Sequence, residues 1–142
     1  MSKDFILKKI SQIIKLISEI EELLNVSYSE FNLKFTNIRT AERNFQLIVE
    51  QASDINNHII LEESHEVPET YRASFTKLEK LGILNNKNTK ELVKSANLRN
   101  ILIHEYDFDQ DNFIFYKSLK KFVPVYKEYI SKIEAYLNYK TK

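Results

Sequence analysis

Residues 29–63 read SEFNLKFTNIRTAERNFQLIVEQASDINNHIILEE, a stretch without Gly or Pro. Phe31, Phe35, Ile38, Ala41, Phe45, Ile48, Ala52, Ile55 and Ile59 recur along it at intervals of three or four residues, so they fall on one stripe of a helix turning about 100° per residue. The spacing predicts a single helix of unusual length, from about Ser29 to Glu63. Small Ala41 and Ala52 on the stripe let a neighbour approach closely. A helix of this length needs long partners, and the rest of the chain supplies them.

Towards the N-terminus, Ile6, Ile10, Ile13, Ile17, Ile20 and Leu24 form a narrow seam at 4-3-4-3-4 spacing, which predicts a first helix from about Asp4 to Asn25. Towards the C-terminus, the loop Ser64–Pro68 ends the long helix. Glu69 or Thr70 opens a short third helix that stops at Leu81-Gly82, where Gly supplies the left-handed turn. Asn88, with Glu91 three residues on, reads as the cap of a fourth helix ending near Glu105. After a polar, acidic link over Asp107–Asp111, a last helix spans about Asn112 to Asn138. Its stripe is Phe115, Leu119, Phe122, Tyr126, Ile130, Ile133 and Leu137, and Pro124 should interrupt and kink it by removing a backbone donor. The reading is an all-α bundle of about five helices. With no internal repeat, linker or low-complexity segment, residues 1–142 are expected to form one domain.

Composition agrees. One Gly and two Pro in 142 residues leave little material for turns. The chain has no Cys, which excludes thiol catalysis, disulfides and cysteine-ligated zinc. Lys and Arg total 21 against 20 Asp and Glu, so a net charge of +1 gives no global attraction to nucleic acid. Any RNA binding must come from a local patch or from assembly, and binding to DNA is not expected. No apolar run is long enough to span a membrane, and the N-terminus leads straight into a charged amphipathic pattern. A cytoplasmic protein is expected.

The fourth helix carries the residues with chemistry. Arg99-Asn100-Ile101-Leu102-Ile103-His104-Glu105-Tyr106 sets an arginine, an imidazole and a phenol around three consecutive apolar residues. Arg binds phosphate through a fork of donors, and His both takes and gives a proton near neutral pH, a pairing suited to phosphodiester chemistry. Asn100 and His104 share a face at i, i+4, and Arg99 and Tyr106 share another at i, i+7. Arg99 and His104, however, stand roughly 140° apart, so one straight helix cannot close both on one phosphate. Either the helix unwinds near His104, or a second copy brought up by two-fold symmetry completes the site; the second is favoured. The structural alternative is that Arg99 and His104 satisfy backbone carbonyls and an acid such as Glu105 or Asp107.

Other polar groups carry less. Glu42, Arg43, Gln46, Asp54, Asn57 and His58 sit on the long helix, where Asp54 and His58 are one turn apart and within reach of a hydrogen bond. They read first as a solvated face. Neither His58 nor His65 has the local spacing of a metal site, so no metal or other cofactor is assigned.

Arg99, the four residues after it and His104-Glu105-Tyr106 match R-x4-6-H-x-Y, and the chain resembles the HepT toxins of the HEPN superfamily of small helical ribonucleases. Ala41-Glu42-Arg43, Asp54-Ile55-Asn56-Asn57-His58-Ile59-Ile60 and Pro68-Glu69-Thr70-Tyr71 extend the likeness over roughly residues 30 to 137. The resemblance implies a homodimer whose Arg-His pairs face each other in a metal-independent endoribonuclease site. It implies catalytic Arg99 and His104 and the toxin of a type II or type VII-like toxin–antitoxin pair. The partner would be an MNT nucleotidyltransferase antitoxin that blocks the toxin by transferring AMP to Tyr106. The chemistry of the residues agrees: a base removes the 2′-hydroxyl proton, the oxygen attacks phosphorus, and charge builds on the non-bridging oxygens. His104 suits the proton transfers, Arg99 the charge, and Asn100 could orient the imidazole from one turn away. The rival expectation is a non-catalytic helical module that binds and positions a nucleotidyltransferase.

Overall fold

A computed structural model describes residues 3–104 and 112–140, with residue 104 described by its backbone alone. Six helices occupy the described residues: α1 (Lys3–Leu24), α2 (Tyr28–Asn32), α3 (Phe35–Glu63), α4 (Tyr71–Lys80), α5 (Asn86–His104) and α6 (Asn112–Lys140). The expected link over 107–111, with Glu105 and Tyr106, lies outside the described residues. None of the described helices is long and apolar enough to cross a membrane.

α3 is the spine. It packs against α1, α2, α4 and α5, while α6 closes the other side against α1, α2 and α5. All six residues of the α1 seam are buried, with Ile6 and Ile13 fully so. Removing such a side chain to Ala leaves a cavity and costs roughly 2–5 kcal/mol. Ala41 and Ala52 are also fully buried, consistent with close approach along α3.

The long second helix is not continuous, which corrects the sequence reading and raises the helix count to six. Ser27 caps α2 by accepting from the backbone N–H of Glu30, and Leu33 ends it. Lys34 then adopts an extended conformation (φ −121°, ψ 117°) before α3 begins. The break lets Phe31 turn into the core beside Tyr116 of α6, with ring centroids 5.2 Å apart, while Phe35 is left 72% exposed instead of joining the buried stripe.

Two smaller corrections concern α5 and α6. The cap of α5 is Asn85, three residues before the expected Asn88. The two form a reciprocal pair: the Asn88 backbone N–H donates to Asn85 Oδ1 at 2.8 Å, and the Asn85 N–H donates to Asn88 Oδ1 at 3.4 Å. A second side-chain amide serves this role, so Glu91 is released to bind Lys121 at 3.0 Å. α6 runs through Pro124 without interruption, with Phe122 and Tyr126 buried on either side of the proline. At the end of α4, Gly82 takes φ +80°. Its N–H reaches Glu79 and that of Ile83 reaches Leu78, both at 2.9 Å, so the carbonyls of the last turn are satisfied as the glycine stop predicts.

A buried polar chain fixes α4 and α5 against this frame. Asn56 Nδ2 donates to Ser74 Oγ at 3.0 Å, and Ser74 Oγ donates to the Tyr71 carbonyl at 2.7 Å. The Tyr129 hydroxyl sits 2.6 Å from Asn56 Oδ1, and the Tyr126 hydroxyl lies 2.6 Å from Ser95 Oγ. Burial pushes both phenols well above their ordinary value, so they stay protonated and can keep donating.

Candidate active site

Arg99 projects from α5 into the angle between α3 and α4. Its Nη2 donates to Glu50 Oε2 at 3.0 Å, and the side chains are 14% and 29% exposed. The guanidinium lies over the Tyr71 ring, with Cζ 4.5 Å from its centroid, and Nη1 donates to Asn100 Oδ1 at 3.3 Å. Partial exclusion of water strengthens all three contacts relative to a surface arginine. The Nε–H is buried and has no partner among the described residues. Arg carries five donors in a rigid fork, so the contacts fix its orientation and leave donors uncommitted.

The sequence placed Arg99 and Asn100 next to each other and the structure joins them through Asn100 Oδ1; the expected contact of Asn100 with the imidazole lies outside the described residues. The side chain of His104 and all of Tyr106 lie outside the described residues. α5 is helical through residue 104, so it does not unwind before that point, and the positions of Arg99 and His104 remain roughly 140° apart around the helix. Among the described residues, the acid that Arg99 meets is Glu50 on α3; Glu105 and Asp107, the acids expected beside it, lie outside the described residues.

Glu50 and Tyr71 are the residues that sequence reasoning missed as Arg99 partners. Tyr71 stood inside the quoted 68–71 segment, which was a signal; Glu50 lies 49 positions before Arg99 and carried none. Three other polar groups singled out on α3 have local partners. Asp54 pairs with Lys9 at 3.1 Å, His58 stacks on Phe5 with centroids 4.6 Å apart, and Glu42 accepts from Arg39 at 2.7 Å. Among the described residues, no group of three or more His, Asp or Glu is placed to hold a metal ion.

Comparison with known proteins gives a consistent result. The family profile described as ribonuclease HepT-like matches residues 13–133. The chain is 31% identical over 121 residues to a tRNA nuclease HepT of Aphanizomenon flos-aquae, covering 85% of this chain and 82% of that protein. It is 32% identical over 103 residues to an mRNA nuclease HepT of Shewanella oneidensis, covering 72% and 77%. Among solved structures, the tri-AMPylated Shewanella oneidensis HEPN toxin in complex with MNT antitoxin superposes with a TM-score of 0.86 at 28% identity, covering 94% of this chain and 99% of that one. A toxin–antitoxin structure with AMP-PNP gives 0.85 at 27% identity, with the same coverage.

Proposed function

Because this chain belongs to the HepT-like ribonuclease family, we propose that it is the toxin of a toxin–antitoxin pair and cleaves RNA without a metal ion. The observation that carries the reading is the intact Arg99-x4-His104-x-Tyr106 pattern inside the matched span, residues 13–133. Arg99, steadied by Glu50 and Tyr71, offers its free donors to the non-bridging oxygens as charge builds on them. His104 takes the 2′-hydroxyl proton and returns a proton to the departing 5′-oxygen. The angular separation on α5 supports a composite site in which a two-fold partner supplies the second residue of each pair.

The partner is an MNT-type nucleotidyltransferase, and the acceptor on this chain is Tyr106. It stands seven positions after Arg99 in the sequence, and an AMP attached to its phenol would add a phosphate and a purine that compete with RNA. In the alternative, a non-catalytic module that positions the nucleotidyltransferase, the Arg99–Glu50 pair is a structural tie between α3 and α5. Expression of the chain alone separates the two. The toxin reading expects growth arrest by the wild type, none by Arg99→Ala or His104→Ala, and relief by the nucleotidyltransferase with AMP on Tyr106 by mass spectrometry. Normal growth with tight complex formation would establish the module instead.

A further inference from the structure

A groove of about 650 Å³ opens along the 66–70 segment and α4, lined among others by Glu66, Thr70, Arg72, Lys77 and Lys80, with Val93 of α5 at its edge. Three cations therefore face one carboxylate, a local excess of two positive charges in a chain whose total is +1. Lys77 contacts Glu66 at 3.5 Å. Arg72 and Lys80 are exposed and form no ion pair among the described residues. Their charges are thus available to a ligand, and the groove concentrates them on one wall.

Its position ties it to the site. Arg72 follows Tyr71, whose ring lies against the Arg99 guanidinium. Val93, Asn97, Asn100 and residue 104 follow one another at i+4, i+3 and i+4, so the stripe of α5 that touches the groove at Val93 continues to the helix end, roughly 16 Å away. A single strand lying along that stripe would have its phosphates beside the groove cations.

Resting on the ribonuclease reading, we propose that this groove is an RNA-binding subsite that cradles phosphates of nucleotides outside the scissile bond. It is a charge-based, sequence-tolerant contact, in which Arg72 and Lys80 neutralise backbone phosphates and Thr70 and Val93 shape the wall.

The test is binding of a short single-stranded 2′-O-methyl RNA, which resists attack by its own 2′-oxygen, to the full chain across a salt series. Each phosphate contact contributes about 0.7 to the salt slope for single strands, so Arg72→Ala/Lys80→Ala should flatten it by about 1.4 and weaken binding roughly tenfold at moderate salt. Charge-matched Lys8→Ala/Lys15→Ala on α1, also at exposed positions, should fall well short of this. With cleavable RNA, the groove variant should lose more kcat/KM on a long strand than on a dinucleotide. Wild-type affinity and slope in the groove variant would overturn the proposal, as would an equal loss in the α1 variant. Loss of binding to the nucleotidyltransferase with RNA binding intact would overturn it in favour of a protein interface. Groove-dependent RNA binding by a chain that cleaves nothing would sustain the subsite while removing the ribonuclease reading.

Discussion

Arg99 is held from three sides by groups that come from three parts of the chain. Glu50 gives it a counter-charge, Tyr71 a face, and Asn100 a local acceptor. Removing the carboxylate would leave a guanidinium that is 14% exposed without its ion-pair partner. Glu50→Ala should therefore destabilise the fold by about 1–3 kcal/mol, a value reduced from that of a fully buried pair because both groups retain some water. In combination with Arg99→Ala, the loss should be less than the sum of the two single changes, because the second removes the charge the first stranded. Denaturant melts of the four proteins check this; strict additivity would show that the pair is not coupled. Arg99 itself was legible as a functional candidate because arginine, histidine and tyrosine crowd a short apolar segment. Its fixed orientation was not, because neither helical periodicity nor spacing specifies which residue of α3 lies opposite α5.

At the scale of elements, the break between α2 and α3 has no mark in the sequence. Leu33-Lys34 contains neither Gly nor Pro, and the apolar stripe runs past it in register. It forms because Phe31 gains a place against α6 that a straight helix would deny it. The new N-terminus of α3 consequently has Lys34 as its cap, with no side-chain hydrogen bond and a cation near the positive end of the helix dipole. Lys34→Asp should supply an acceptor and reverse that charge, raising stability by about 1 kcal/mol. No gain in melting temperature would argue against the break. The seam of α1, by contrast, was legible residue by residue, since its sole packing demand is a narrow apolar line. Ion pairs connect other helices. Glu63 of α3 is held below its ordinary value of 4.5, chiefly by its hydrogen bond to Lys140 and then by that to Tyr136, and Glu91 of α5 chiefly by Lys121. A depressed carboxyl contributes stability above its unfolded pKa and loses it as pH falls through the folded one. Thermal stability should thus decline on acidification below about 4.5, and Lys121→Met/Lys140→Met should shrink that decline. An unchanged acid limb in the double variant would refute the assignment.

For the whole molecule, the helical class and the core followed from composition and periodicity, while the surroundings of Arg99 were legible only in part because they depend on contacts between distant segments, Glu50 of α3 and Tyr71 of α4. A composite dimer makes a particular prediction. Chains carrying Arg99→Ala and chains carrying His104→Ala should each be inactive, yet a mixture should regain partial activity, because one heterodimeric site keeps an intact arginine and histidine. Failure to recover, with exchange of subunits demonstrated, would place both residues of each site on one chain. The central claim is RNA cleavage by Arg99 and His104 without metal. It is tested most directly by incubating the purified chain with RNA in excess EDTA and examining the new ends, beside Arg99→Ala and His104→Ala chains that keep the helical circular dichroism and melt cooperatively above the assay temperature. Cleavage is expected from the wild type alone, leaving 2′,3′-cyclic phosphate. Loss of cleavage in EDTA with recovery on adding Mg²⁺, or undiminished cleavage by folded His104→Ala, would contradict it.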